Sequence, residues 1–220
     1  AHRGFVPVTY MIYGAVEHRD SLGNRGRLGP GSVQWMTAGR GIIHSEMPKQ
    51  ENGLMWGFQL WVNLPAKLKM TKPRYQDIAP TNIPEVRVGD ALVRVVAGDV
   101  AGAHGPVEDI YVKPRMLDVK LDAKGTFSLE LPKSHNAFVY VFEGAALVGP
   151  SKTKVARGEL AVLATGESIV ATSEDGGRFL ILAGEPIGEP VARYGPFVMN
   201  TEQEIRQAIT DYQTGRLVQS

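Results

Sequence analysis

The sequence has no cysteine. Disulfides, thiolate metal ligands and a cysteine nucleophile are therefore excluded, and a reducing compartment suits the chain. It also lacks an excess of either charge. Lys and Arg number 24 against 23 Asp and Glu, a formal net charge of +1, too balanced for a protein that binds nucleic acid through its phosphates. No apolar run approaches the ~20 residues of a membrane-spanning helix. There is no G-x-S-x-G, P-loop or G-x-G-x-x-G pattern. Gly39-Arg40-Gly41 has no helix pattern after it, so it is not a nucleotide loop.

What is present is turn chemistry. The 25 glycines and 14 prolines separate short runs of Val, Ile, Leu, Phe and Tyr, the texture of many short strands joined by tight turns. Strands are predicted at 6–12, 32–37, 42–47, 56–64, 85–88 and 91–96, with a further series after Lys113-Pro114. The polar stretch 17–27, the Lys- and Pro-rich stretch 66–84 and the Gly-rich stretch 97–106 read as connections over the surface, with His18 a solvated residue in the first and His104 a residue of the Gly-rich loop. One helix is signalled. Thr201 and Glu204 have capping-box spacing, Ile205, Ala208, Ile209 and Tyr212 recur at helical period, and Gly215 is placed to stop it. The chain opens Ala-His-Arg-Gly, already inside a strand pattern, so more sequence is expected upstream.

An internal duplication sets the architecture. A shift of 130 lays Val8–Gly14 on Phe138–Gly144; a shift of 127 lays Gly31 on Gly158, Gly39 on Gly166 and Ile42-Ile43 on Ile169-Val170. The expected fold is all-β: two β-barrels, an N-terminal one over 1–115 and a C-terminal one over 116–220, the second ending in the short helix. The copies differ in one respect. His44 and Glu46 lie two apart on a strand, hence on one face, and their counterparts in this alignment are Ala171 and Ser173; His2 falls on Pro132. Donors lost as a set point to a metal site in the first copy only. Two imidazoles and a carboxylate suit a first-row transition metal with positions left open. His135 matches Phe5, off the face of His2, and is not expected to be a ligand.

The run Gln34–Pro48 (QWMTAGRGIIHSEMP), with His2-Arg3-Gly4-Phe5, Val8-Thr9-Tyr10 and Gly195–Thr201, resembles the pirin family of bicupins along essentially the whole chain. The resemblance implies two cupin barrels with one metal, usually iron, in the first. It implies His2, His44 and Glu46 as ligands; the family's remaining His would lie one residue before Ala1. It further implies one of two activities. One is quercetin 2,3-dioxygenase, in which a flavonol binds at the metal and O2 cleaves its ring with release of carbon monoxide, Glu46 then serving as ligand and base unless water or hydroxide takes the proton. The other is a redox-responsive regulator that binds a transcription factor or metabolic enzyme. A cytoplasmic location is expected, or a nuclear one in a eukaryote, without direct nucleic-acid or membrane binding. Where the family usually has Gly-Phe-Glu-Thr this chain reads Gly4-Phe5-Val6-Pro7. Val6 is expected to share the face of His2 and so to weaken turnover, and Pro7 to suit only an edge or bulge.

Overall fold

A computed structural model describes residues 1–49, 53–108 and 112–218. The chain forms two compact units, 1–80 with 187–220, and 81–186. The strands of the first unit are β1 (Phe5–Tyr13), β2 (Ala15–Asp20), β3 (Arg25–Leu28), β4 (Val33–Thr37), β5 (His44–Lys49), β6 (Trp56–Asn63) and β7 (Arg74–Ile78). Those of the second are β8 (Glu85–Val88), β9 (Ala91–Ala97), β10 (Asp99–Val100), β11 (Ala103–His104), β12 (Arg115–Leu121), β13 (Thr126–Glu130), β14 (Asn136–Val148), β15 (Thr153–Ala156), β16 (Leu160–Val162), β17 (Ser168–Thr172) and β18 (Gly177–Gly184). The chain then returns to the first unit as β19 (Ala192–Tyr194), β20 (Phe197–Met199) and the helix α1 (Glu202–Gln213). The fold is all-β with one short helix, as the turn-rich texture requires.

The first unit has a sheet of order β6-β1-β4-β7 and a second of order β3-β2-β5, all antiparallel. The second unit has a nine-stranded sheet and the separate pair β10-β11; the large sheet encloses an apolar cluster including Val93, Leu117, Phe127, Val139 and Phe179. The units do not divide at 115/116 as the sequence suggests. β9 pairs with β12 across that point, so β8 and β9 belong with the second unit. The C-terminal hairpin and helix belong with the first, where Arg3 Nη1 donates to Asp211 Oδ2 at 2.7 Å.

The duplication is visible in the pairing register. Val8↔Trp35, Thr9↔Gln34 and Tyr10↔Val33 reappear as Phe138↔Val162, Val139↔Ala161 and Tyr140↔Leu160, and the register break at Met11/Tyr13 returns at Val141/Glu143. The offset changes at the next strand. Glu17 faces Met47, whereas its counterpart Leu147 faces Thr172. Glu46 therefore corresponds to Ala171, and His44 to Ile169, two residues away from the sequence alignment. His2 bridges Ile42 where Leu131 N bonds Glu167 O, so its counterpart is Leu131 and not Pro132. All three counterparts are buried apolar residues of the second unit's cluster.

The helix has the expected reciprocal cap: Thr201 Oγ1 accepts from the Glu204 N–H at 3.2 Å, and Glu204 Oε2 from the Thr201 N–H at 2.9 Å. Ile205 and Ala208 are buried with Phe197, Met199 and Leu217, but Tyr212 is exposed. Pro7 is not on an edge strand: β1 lies between β6 and β4, and Pro7 is tolerated where its pairing with β4 has not begun, at Val8.

Residues 66–84 are not mere surface. β7 closes the four-stranded sheet, and Lys69 is only 1% exposed. Its ammonium donates to the carbonyls of Gly4 and Val198, each at 2.9 Å, and to Asn63 Oδ1 at 2.7 Å. Burial pulls its pKa from 10.5 to about 8. Between about pH 8 and 10.5 the unfolded chain holds a proton here that the folded chain lacks, so folding stability rises with pH across that window. Lys69→Met removes three donated bonds and is expected to cost about 2–4 kcal/mol at pH 7 and to flatten that rise; denaturant titrations at pH 7.5 and 9.5 check both.

Candidate metal centre

The two sheets of the first unit put a set of polar side chains between them. In β1, Pro7 pairs with Trp61 and Thr9 with Gln59, and Thr9 pairs with Gln34 on its other side; partners across an antiparallel ladder share a face. From the facing sheet, β2 and β5 pair His18 with Glu46 and Asp20 with His44, so these four share a face as well. Thr9 Oγ1 reaches Glu46 Oε1 at 3.4 Å, and Gln59 Nε2 reaches Glu46 Oε2 at 3.2 Å.

His2 arrives by a separate route. Gly4 has φ +90° and its N–H bonds the Gly39 carbonyl at 2.7 Å. That turn interrupts the strand alternation, so Phe5 and not Val6 follows His2 onto this face. The His2 ring meets Phe5 edge-on at 5.2 Å and His44 at 4.8 Å between centroids. Trp61 packs on Phe5 at 4.3 Å and on His2 at 5.7 Å. Val6 pairs with Val62 on the opposite face and is buried there. The expectation that Val6 borders the site is therefore incorrect, and its loss of a carboxylate does not bear on turnover there.

The electrostatics suit neutral imidazoles. Burial, then the neighbouring His44, lower the His2 pKa to about 4, and burial lowers His44 as well. Nδ1 of each ring is buried with no hydrogen-bond partner, which leaves a lone pair or N–H to be satisfied by a group the protein does not itself supply. Among the described residues no three His, Asp or Glu side chains converge as a ready-made metal cage; Glu46 is turned to Thr9 and Gln59. The donor types and the shared face fit a first-row metal, with Glu46 as the donor that must reorient.

The sequence reading missed much of the surroundings. His18 is 2% exposed, not solvated, because the stretch read as a loop is the hairpin β2–β3. Its Nε2 lies 3.2 Å from Asp77 Oδ2, Gln34 Nε2 donates to Asp77 Oδ1 at 2.9 Å, and the ring stacks on Tyr75 at 5.5 Å. Burial, then Asp20, push the Tyr75 phenol well above its usual range. The alternation Glu17-His18-Arg19-Asp20 was the available signal: period two in a polar run. His104 is exposed and bonds Asp99; His135 belongs to the second unit.

Comparison with known proteins bears on the family and the fold. Residues 1–62 match the family profile described as Pirin, and residues 116–218 that of the Pirin C-terminal cupin domain. A pirin-like protein of Caulobacter vibrioides is 44% identical over 217 residues, covering 98% of this chain and 78% of that protein. The crystal structure of a quercetin 2,3-dioxygenase from Acinetobacter baumannii superposes with a TM-score of 0.92 at 38% identity, over 98% of this chain and 77% of that one. The bacterial pirin YhhW of Escherichia coli, solved in complex with nickel(II), shares the fold with a TM-score of 0.65 at 19% identity, over 84% of this chain and 74% of that one.

The Gly4 joint can be tested directly. A Cβ there would sit 2.0 Å from the Val198 carbonyl oxygen, on a backbone that L residues rarely adopt. Gly4→Ala is expected to cost about 3 kcal/mol, read as a fall in the thermal midpoint; an unchanged midpoint would show that the joint tolerates a side chain.

Proposed function

The chain belongs to the pirin family, and on that premise we propose that it is a metal-dependent bicupin acting as a quercetin 2,3-dioxygenase. The observation that carries this reading is access. His2, His44 and Glu46 are each half-buried, beside an exposed Gln59 and Trp61, so a small molecule can reach the donors. A buried centre beneath a charged surface would have favoured the regulator that binds a protein partner.

His2, His44 and Glu46 would hold the metal. A first-row ion there supplies Lewis acidity and a one-electron partner for dioxygen. The chain's own residues do the rest. Desolvation keeps His2 neutral and draws His44 toward the neutral state, the form that ligates. Thr9 and Gln59 hold the Glu46 carboxylate on this face; turned from them, it is the acidic group that we assign both as ligand and as acceptor of the flavonol hydroxyl proton. Trp61, exposed and packed on the fully buried Phe5, offers apolar ring surface to a flat polyphenol, and the Arg193 guanidinium, 5.0 Å over the Trp61 ring, steadies the indole.

Metal analysis of protein purified without chelator or added metal is expected to give one first-row ion per chain, iron being the first candidate. Leu131, Ile169 and Ala171 offer no donors in the second unit, so a second ion mapped there would contradict the assignment. His44→Ala is expected to lose the ion, because two remaining protein donors bind a transition metal too weakly. Loss of the flavonol absorbance band under air, followed on the same samples, should track metal content; an iron-loaded protein that never consumes quercetin would defeat the enzyme reading.

A further inference from the structure

His18 has no part in the metal assignment, yet it is the more elaborately built histidine. Its side chain is 2% exposed. Asp77 accepts at Nε2, Gln34 in turn fixes Asp77, and Tyr75 covers one ring face. Room for it is kept by an absence: Gly26 is its partner in β3, and a Cβ at Gly26 would lie 2.2 Å from His18 Nε2 and 2.9 Å from Asp77 Oδ2. Any other residue there would displace the pair.

The same contact orients the ring. β2 lies between β3 and β5, with Gly26 on one side of His18 and Glu46 on the other. The Cδ2–Nε2 edge lies over Gly26, so the Nδ1 edge is turned toward β5, the strand of His44 and Glu46. Nδ1 is buried and has no hydrogen-bond partner. With Nε2–H committed to a carboxylate, the neutral ring leaves Nδ1 as an acceptor. A buried unpaired acceptor is costly to a protein that makes no use of it.

We propose that His18, set by Asp77 and Gly26, is a ligand-binding residue: it accepts a hydrogen bond from one hydroxyl of the polyphenol held beside His44 and Glu46. The proposal deepens the flavonol reading and rests on it. It requires no proton transfer to His18 and no bond to a metal.

The test is flavonol affinity, measured by tryptophan fluorescence quenching at pH 8 on metal-analysed protein. The probes are quercetin and a series of analogues each lacking one hydroxyl. His18→Gln keeps an amide donor for Asp77 but places no acceptor at Nδ1; His18→Asn keeps an oxygen near Nδ1. The expected result is about tenfold weaker quercetin binding by His18→Gln, recovery of most of that loss in His18→Asn, and unchanged metal content. For one analogue, the one missing the bonded hydroxyl, His18→Gln and the parent should bind alike. Gly26→Ala, which shifts the ring without altering it, should reproduce the His18→Gln pattern. Equal quercetin affinity in parent and His18→Gln, or an equal loss for every analogue, overturns the role of His18 and leaves the flavonol reading standing. Failure of the metal-loaded parent to bind any of the series overturns both.

Discussion

The donor face depends on the joint at Gly4. A residue at φ +90° whose missing Cβ clears the Val198 carbonyl lets the chain change direction between His2 and β1. Three neighbours hold that turn. Lys69 bonds the carbonyls of both Gly4 and Val198, the Gly39 carbonyl accepts from Gly4 N–H, and Arg3 is anchored to Asp211 of α1 and to the Arg40 carbonyl. The C-terminal segment is thus a structural part of the N-terminal unit. Its hairpin supplies the carbonyl against which Gly4 packs, and its helix supplies the carboxylate that Arg3 needs. Without this joint, strand alternation would send His2 to the face of Val6, away from His44.

The two copies of the strand unit use one topology for different ends. In the second, the register positions of His2, His44 and Glu46 are Leu131, Ile169 and Ala171, inside a continuous apolar cluster. Packing there is a straightforward gain from removing apolar area from water. In the first, the equivalent interior holds His18, Gln34, Glu46 and Thr9, groups whose lost hydration is offset in part by hydrogen bonds to Asp77, Gln59 and one another. Asp77 and Gln59 serve several partners each for that reason. The loss of donors in the second copy is a repacking of the whole interior and not an isolated substitution.

Much of this was legible in the sequence. Strand texture, the Gly14/Gly144 and Gly31/Gly158 correspondences and the Thr201 cap rest on local chemistry, which a sequence displays directly. His44 and Glu46 were legible because period two within one strand needs no tertiary information. Val6 was misplaced because counting by two from His2 passes through Gly4, where a positive φ resets the count. The counterparts of His44 and Glu46 in the second copy were misread by two residues because loop length, invisible to a Gly-based alignment, changes between β4 and β5; that of His2 was misread by one. Lys69 and His18 were read as solvated from the polarity of their neighbours. Both are buried by contacts more than fifty residues distant in sequence, Val198 and Asp77, which no local pattern encodes.

Burial of the imidazoles links this architecture to metal affinity. A histidine near its ordinary pKa would be partly protonated at pH 6 to 7, and an incoming cation would have to displace that proton. With His2 lowered to about 4, its ring is already in the ligating form throughout the physiological range, and burial draws His44 in the same direction. The cost is desolvation of both rings, with no protein partner at either Nδ1, and it falls on the folded protein. The Lys69 joint and the Arg3–Asp211 pair stabilise the segment carrying His2, so that cost is met by contacts outside the donor set. On the proposed reading, a metal held by these residues would bind the folded chain alone and so would raise its stability.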